Sequence, residues 1–238
     1  MRAKISVKKL TSRLLKFDYQ YPMAAMLFRK LKEVDFRLAS ELHSSQDFKF
    51  YTFSWLQGDI HPHHSGLEFD AAHFILSSPD PVFVKSFSEG LLAVPEFRLG
   101  AIKFIVTGIE IFPEQQFNKK AHFRTISPIY LKTLREGEGG PVVYDLYPNE
   151  GKFYENLHNN LVGRFKAFYG NAPISDHFDV TRRGKFLPKR VRIKGDFRRC
   201  SLFDFVVEAS QELLKFGYEA GFGEKTAMGF GCVELMDG

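Results

Sequence analysis

The sequence lacks any uninterrupted apolar run of the ~20 residues that a membrane-spanning helix needs. It also lacks the apolar core of an export signal, because its start, MRAKISVKKL, returns to polar residues after a few apolar ones. These two absences predict a cytoplasmic protein with no membrane partner.

Cysteine is scarce, with Cys200 and Cys232 the only two in the chain. They lack the spacing of a metal site, and a chain without an export signal keeps its thiols reduced, so we expect two buried thiols. The segment 60–66, IHPHHSG, holds three histidines, but its proline breaks any helix and no second group of ligands stands at a suitable spacing. It therefore predicts a turn between strands, and the sequence predicts neither a metal nor a cofactor.

Apolar residues are abundant enough for a sizeable core. They make up 44% of the 238 residues, a length that suits one large or two small domains. In the first half, alternating and helical patterns follow the βαββαβ order of the ferredoxin-like unit, with one short extra helix. The predicted strands are Ala3–Lys8, Phe48–Ile60, Gly66–Leu76 and Ile102–Phe112, and the predicted helices are Tyr21–Lys32, Phe36–Leu42 and Pro81–Leu92.

The second half repeats this order more loosely. A polar segment at 113–121, PEQQFNKKA, separates the two halves. The predicted fold is α+β, with two tandem ferredoxin-like (RRM-like) domains, 1–115 and 121–238, and a glycine-rich loop near the end of the second. The second half is predicted to contain strands Phe123–Lys132 and Val142–Leu146, helix Phe153–Tyr169, a hairpin within Val180–Val207, helix Ser210–Ala220 and strand Cys232–Leu235.

Positive charge is concentrated in one segment. Residues 182–199 carry nine lysines or arginines against one acid, a charge of +8 in a chain of net charge +5, which leaves −3 for the remainder. Such a stripe is typical of a protein that binds a polyanion, and a solvated charged hairpin is the alternative. Within it, the portion 189–194, KRVRIK, alternates basic and apolar residues, so a strand would present the charges on one face. The predicted polyanion contacts are Arg182, Arg183, Lys185, Lys189, Arg190, Arg192 and Lys194.

The most informative segment is 221–231, GFGEKTAMGFG, in which two Gly–aromatic–Gly pairs flank a lysine. Because glycine weakens regular elements, this density indicates positive φ angles and room for the close approach of a ligand. Freed N–H groups with Lys225 would then bind an anion such as phosphate, whereas the alternative is a helix-to-strand turn. On the ligand interpretation, valine at Gly223 or Gly229 would weaken binding more than stability. The predicted contacts are Gly221, Gly223, Lys225, Gly229 and Gly231.

This order of helix, glycine-rich loop and strand resembles the signature loop of the RAMP superfamily of CRISPR-associated RNA-binding proteins. The stretch LLKFGYEAGFGEK is similar to the archaeal branch of the repeat-cleaving endoribonucleases in that superfamily, which mature the guide RNA precursor. The resemblance runs the length of the chain. It implies tandem ferredoxin-like domains and CRISPR repeat RNA as the partner, but the loop alone does not distinguish nucleases from inactive RNA binders.

The same resemblance implies catalytic residues. In archaeal members a histidine after the first helix is followed six residues later by a lysine, and His43 and Lys49 match this motif. The resemblance implies that His43 transfers a proton and Lys49 stabilises the transition state. At the position of the family tyrosine this chain has Phe28, which cannot transfer a proton, and Tyr21 or Tyr51 could replace it only if the fold brings them near. Without the resemblance, His43 would be a helix-end residue and Lys49 a solvated lysine.

The predicted function is binding and metal-independent cleavage of CRISPR repeat RNA, by attack of a 2′-hydroxyl on the adjacent phosphorus. The products would carry a 2′,3′-cyclic phosphate and a 5′-hydroxyl. Phe28 supports an alternative, a non-cleaving or weakly cleaving repeat-RNA-binding protein. A structural subunit of an effector complex is less favoured, because it would not need the His43–Lys49 pair. The sequence leaves open the repeat sequence, hairpin or single-strand recognition, effector-complex partners and a homodimer.

Overall fold

The chain has a mixed α+β fold built on two antiparallel sheets, one from each half. A computed structural model describes residues 1–37, 39–40, 48–193 and 195–236. Two helices share an apolar core with each sheet, and the two cores are rich in phenylalanine. The fold class is therefore the one predicted from the sequence.

The first sheet has the strand order of a ferredoxin-like unit. The first half contains β1 Arg2–Lys9, α1 Gln20–Val34, β2 Thr52–Phe53, β3 His61–His63, β4 Gly66–Glu68, β5 Ala71–Ser77, α2 Pro81–Ala93, β6 Glu96–Leu99 and β7 Ile102–Ile111. The sheet order is β2-β5-β1-β7-β6, and β3 pairs with β4 in a separate hairpin. The first strand thus lies in the centre, with an additional strand, β6, beyond β7.

The helices of the first half form because their apolar stripes face this sheet. Met23, Leu27 and Leu31 recur at helical spacing on α1, and all are buried as predicted. The side chain of Asp80 caps α2 by accepting a hydrogen bond from a backbone N–H of the first turn. Gly90 of α2 allows the two helices to approach closely, because a Cβ there would lie 2.6 Å from a backbone oxygen of α1.

The second sheet repeats the same arrangement. The second half contains β8 Lys120–Thr125, β9 Lys132–Gly137, β10 Gly140–Asp145, α3 Gly151–Tyr169, β11 Phe178–Ile193, β12 Asp196–Ala209, α4 Gln211–Ala220, a 3-10 helix Thr226–Met228 and β13 Val233–Leu235. The sheet order is β11-β12-β8-β13, which matches β2-β5-β1-β7, and β9 pairs with β10 in an inserted hairpin. The predicted second ferredoxin-like unit is confirmed.

Two local signals position the helices of the second half. The predicted stripe of α3, which includes Leu157, Leu161 and Phe165, is buried. Ser210 caps α4, with its side chain accepting a hydrogen bond from the Leu213 N–H at 3.3 Å. The helix α4 leads directly into the glycine-rich segment, which begins at its C-terminal end.

The predicted strand Phe48–Ile60 is wrong over most of its length. Of these residues, Thr52–Phe53 form β2, and the others are irregular apart from an isolated bridge. Their aromatic side chains pack in three separate clusters, Tyr51 in the first core, Phe50 in the second and Trp55 in a third. The alternating aromatic pattern therefore marks a segment that joins the two cores.

Other predicted bounds change less. The predicted strand Gly66–Leu76 is interrupted between β4 and β5, and β6 was not predicted. The predicted strand Phe123–Lys132 divides into β8 and the start of β9, and Val142–Leu146 corresponds to β10. Of the predicted helix Phe36–Leu42, the structure describes four residues as helical, and the remainder lies outside the described residues.

The structure shows the surroundings of the two thiols and of the histidine segment 60–66. Cys200 and Cys232 are buried free thiols, as predicted. The predicted turn between strands is found at 64–65 in the β3–β4 hairpin, whereas His61–His63 form strand β3 itself. The His63 Nε2 lies 2.7 Å from Glu68 Oε2. Within the described residues, no helix is long and apolar enough to cross a bilayer.

The two halves are joined by buried polar contacts. The Arg2 side chain donates hydrogen bonds to the carbonyl oxygens of Tyr218 and Val233, at 2.9 and 2.7 Å, and stacks over the Tyr218 ring. The first half therefore contacts the end of α4 and β13 directly. The domain boundary between β7 and β8 stays a prediction.

Candidate nucleic-acid interface

A cleft of about 1000 Å³ lies between the two halves. The first half contributes α1, the segment 48–51 and β6, and the second contributes α3 and the segment 223–228. Four lysines or arginines whose side chains are exposed or half-buried line the cleft, namely Arg29, Lys49, Arg98 and Lys225.

The charge of the cleft is strongly positive. Beneath these four cations lies a fifth, Arg164, which is buried. Among the described residues that line the cleft, Glu224 is the one carboxylate, and burial raises its pKa. A concave surface with several cations and one acid attracts anions, and phosphate groups fit this chemistry.

The glycine-rich segment 221–231, hereafter the glycine loop, adopts the predicted backbone. Its four glycines have φ angles of 84°, 85°, 81° and 68°. However, a Cβ on Gly223 would lie 2.7 Å from the Tyr130 oxygen, and a Cβ on Gly229 would lie 2.6 Å from the Phe53 ring. The expectation that this room is left for a ligand is therefore wrong, because the chain's own atoms occupy it.

The glycine loop is held between the two halves. Phe222 and Phe230 are fully buried, and their backbones are hydrogen-bonded, with Phe222 N–H donating to Gly231 O at 2.9 Å. The Thr52 hydroxyl of β2 donates to Phe230 O at 2.8 Å. The aromatic residues thus anchor the loop, and its exposed side, including Lys225, faces the cleft.

The cleft brings together part of the predicted catalytic set. Lys49 and Phe28 both line it, with Phe28 projecting from α1. His43 lies outside the described residues. Lys49 and Phe28 therefore line the same cleft, and the roles of His43, Lys49 and the Phe28 position stay predictions.

Both alternative tyrosines also line the cleft. Tyr21 stands two helical turns before Phe28 on α1 and is exposed. Tyr51 stacks on Phe83 with ring centroids 4.5 Å apart, and burial raises its pKa to about 12. The Tyr51 hydroxyl is therefore protonated near neutral pH and can donate a hydrogen bond.

The basic stripe 182–199 forms the long β11–β12 hairpin. Arg190 and Arg192 are exposed while Val191 and Ile193 are buried, so the predicted alternation is confirmed there. Lys194 lies outside the described residues. The apolar face packs with aromatic residues of the glycine loop and β8–β9 connection, so this end of the stripe adjoins the loop.

The individual cations of the stripe have different surroundings. Arg190 lies over the ring of Phe197, at 4.8 Å from its centroid. The other end, with Arg183 and Lys185, lines a shallow depression on the sheet beside Arg124 and Asp204. Of the remaining predicted contacts, Arg182 lies over the Phe186 ring and Lys189 is half-buried.

Sequence reasoning missed several residues of the cleft. Arg29 and Arg98 carry no local motif, and Glu224 lies within the glycine loop with no signal of its own. Arg164 had a usable signal, because it falls within the apolar stripe of α3, three residues after Leu161. A charged residue at such a position is buried with dedicated partners or points out of the core.

Two family models match the chain. The model described as "CRISPR-associated protein Cas6, N-terminal" matches residues 14–110. The model described as "CRISPR associated protein Cas6, C-terminal" matches residues 112–235. A protein of Methanocaldococcus jannaschii described as CRISPR-associated endoribonuclease Cas6 1 is 41% identical over 98% of this chain and 92% of that protein. A Pyrococcus furiosus CRISPR-associated endoribonuclease Cas6 is 30% identical over 92% of this chain and 83% of that protein.

Solved structures similar to this chain come from the same group of proteins. One described as an RAMP protein binding different RNA substrates has a TM-score of 0.91 and 29% identity, covering 100% of both chains. A Cas6-related protein from Pyrococcus furiosus has a TM-score of 0.92 and 29% identity, covering 100% of this chain and 98% of that one. The fold and cleft define a tandem ferredoxin-like protein of the RAMP type. Within that class, the chain belongs to the Cas6 family.

Proposed function

We propose that this protein binds CRISPR repeat RNA in the cationic cleft and cleaves it without a metal ion. The relatives named as CRISPR-associated endoribonucleases support RNA cleavage as the activity. The observation that carries the assignment to the cleft is that Lys49, the Phe28 position and Lys225 line one concave cationic surface.

The proposed reaction is an internal transesterification. The 2′-oxygen of the nucleotide before the cut attacks the adjacent phosphorus, and the bond from phosphorus to the 5′-oxygen breaks. A proton leaves the 2′-hydroxyl, another is delivered to the 5′-oxygen, and the products carry a 2′,3′-cyclic phosphate and a 5′-hydroxyl.

His43 is proposed to transfer a proton in this step, and Lys49 to stabilise the negative charge that builds up at phosphorus. Lys225 and the exposed side of the glycine loop would hold a neighbouring phosphate. The tip of the basic stripe adjoins the loop through its apolar face, and Arg190 and Arg192 would extend RNA contact beyond the cleft.

The decisive experiment follows end-labelled repeat RNA on a gel, with and without EDTA. We expect cleavage that is unchanged by EDTA and a 5′ fragment that ends in a cyclic phosphate. His43→Ala should slow cleavage by about 10²- to 10⁴-fold, and Lys49→Ala by roughly 10²-fold or more. RNA affinity should stay within a few-fold in both variants. Wild-type cleavage rates in His43→Ala would refute the catalytic assignment.

Phe28 favours a second candidate function, that of a repeat-RNA-binding protein that cleaves weakly or not at all. Phenylalanine lines the cleft where the family resemblance implies a proton-transferring tyrosine. Tight binding without a cleavage product in the same assay would support this candidate. Binding to effector-complex proteins and homodimer formation stay predictions, and sizing of the complex with RNA would test them.

A further inference from the structure

The buried side chain of Arg164 connects its own helix α3 with two other segments, namely the stretch 220–226, where α4 passes into the glycine loop, and the residue Lys49. It projects from α3 and is 2% exposed. Its guanidinium donates to Ala220 O at 2.6 Å and to Gly221 O at 2.8 Å, at the end of α4. It also donates to the Thr226 hydroxyl at 3.2 Å and to Gly223 O at 3.4 Å in the glycine loop.

The third segment is the one that contains Lys49. The Arg164 guanidinium lies 3.5 Å from the carbonyl oxygen of Lys49, the longest of its five contacts. One side chain therefore contacts the backbone of the predicted catalytic lysine in the first half and the loop that carries Lys225 in the second half. Both lysines line the same cleft.

A guanidinium suits this position because its donors form a rigid planar fork. All the acceptors found among the described residues are carbonyls or a hydroxyl, and none is a carboxylate. A buried charge without an opposite charge is costly unless its donors are satisfied. The carbonyls at the end of α4 carry the partial negative charge of a helix C-terminus, which offsets part of this cost.

Burial lowers the pKa of Arg164 to about 10, so the side chain remains charged near neutral pH. A lysine in the same place has a single nitrogen on a flexible stem, so it could not reach the acceptors at 220–226 and the Lys49 carbonyl at once. The planar fork of donors therefore suits this set of acceptors better than a single ammonium group does.

We propose that Arg164 is a positioning residue that holds the Lys49 backbone and the glycine loop in one arrangement, so that Lys49 and Lys225 act on the same stretch of RNA. This inference rests on the proposed function of the cleft. It assigns Arg164 no contact with RNA.

The test compares Arg164→Lys with Lys166→Met, which removes an exposed cation from another face of the same helix. We expect Arg164→Lys to slow single-turnover cleavage by about 10- to 100-fold, because small misplacements of reacting groups cost this much. RNA affinity should change by less than about three-fold, and Lys166→Met should match the wild type. Cleavage at the wild-type rate in Arg164→Lys would overturn the proposal.

A double-mutant cycle gives a readout that a merely structural role would not move. In the wild type, the effects of Lys49→Ala and Lys225→Ala on the cleavage rate should be non-additive, because both groups act on one held substrate. In the Arg164→Lys background the two effects should become additive. Equal coupling in both backgrounds would also overturn the proposal.

If Arg164→Lys does not fold, as judged by circular dichroism, Thr226→Val and Thr226→Ser replace it. Valine removes one acceptor of the guanidinium at similar volume, whereas serine retains the hydroxyl. We expect slower cleavage only in Thr226→Val, and equal rates in the two variants would refute the proposal. If the wild-type protein binds repeat RNA without cutting it, the cleavage assignment fails separately, and the same cycle is measured on RNA dissociation constants.

Discussion

At the residue scale, Phe28 stands where the family resemblance predicts a tyrosine. Its ring is half-buried on α1 and lines the cleft with Lys49. We expect Phe28→Tyr to raise the cleavage rate with unchanged RNA affinity, because it adds a hydroxyl capable of proton transfer to the cleft in which cleavage is proposed. Single-turnover rates and dissociation constants measured on the same RNA check this.

The matched control is Phe48→Tyr, which adds a phenol elsewhere on the cleft wall, where Phe48 is 44% exposed. Acceleration should be specific to position 28. Equal acceleration by both variants, or a gain in affinity alone, would contradict a catalytic role for that position.

Glu224 is predicted to oppose RNA binding. Burial raises the pKa of its carboxyl, against the opposite effects of the Lys132 N–H and of the Lys132 and Lys225 charges. The carboxyl therefore takes up a proton at a higher pH than an ordinary glutamate, and the cleft becomes more positive as the pH falls. RNA binding should tighten as the pH falls for this reason.

The variant Glu224→Gln keeps an acceptor for the Lys132 N–H but removes the charge. We expect it to bind RNA about 2- to 5-fold more tightly at pH 7.5, and to lose part of the tightening with falling pH. Fluorescence anisotropy between pH 5.5 and 8 measures both effects. Glu138→Gln, an exposed acid in the β9–β10 turn, is the control, and an equal gain there would indicate a non-specific charge effect.

At the element scale, the glycine loop is a structural unit first. Gly231 has a φ of +68°, and a Cβ on it would lie 1.9 Å from the Phe222 oxygen. We expect Gly231→Ala to lower the free energy of unfolding by at least about 2 kcal/mol, because the left-handed backbone alone costs 1–2 kcal/mol with a side chain. Thermal unfolding followed by circular dichroism is the measurement.

Gly139 provides the control, since a Cβ there would meet no atom within 4 Å. Gly139→Ala should leave the melting temperature nearly unchanged. A Gly231→Ala protein of normal stability that had lost only RNA affinity would restore the interpretation that the glycines leave room for a ligand.

Elements with a one-sided pattern could be predicted from the sequence. The buried stripes of α1 and α3, the Ser210 cap and the β11–β12 hairpin all follow from local periodicity and capping. The segment 48–60 could not, because its aromatic residues serve different cores, and a pattern along the chain does not record which core each ring enters. The glycine pattern predicted the backbone conformation of the loop. It did not predict which atoms pack against the loop glycines, and these come from β2 and from the connection between β8 and β9.

The residues of the cleft likewise fall into those that sequence motifs predicted and those that only the structure shows. Lys49, Phe28 and Lys225 were predicted from motifs, and the cleft contains all three. Arg29, Arg98 and Arg164 come from three different elements, and tertiary packing alone brings them together. Arg164 illustrates the limit best, because its partners are mostly backbone carbonyls, which every residue carries.

At the scale of the whole molecule, RNA binding should depend strongly on salt. Neutralising Arg190 and Arg192 together to glutamine should flatten the slope of log K against log salt concentration by about one to two units, at roughly 0.7 per phosphate contact on a single strand. Titrations of repeat RNA at several salt concentrations give this slope. Lys16 and Lys85, exposed cations of the first half, form the control pair, and an unchanged slope in the arginine variant would remove the stripe from the RNA path.

The cleft has one wall from each half of the chain, and the glycine loop is bonded to β2 across the gap. A polypeptide cut within 113–119 would thus yield two pieces, each with its own sheet and neither with a complete cleft. Supplied in trans, the pieces would regain RNA cleavage only on reassociation. The architecture is suited to a split enzyme, in which cutting of RNA reports that two separately made fragments have met.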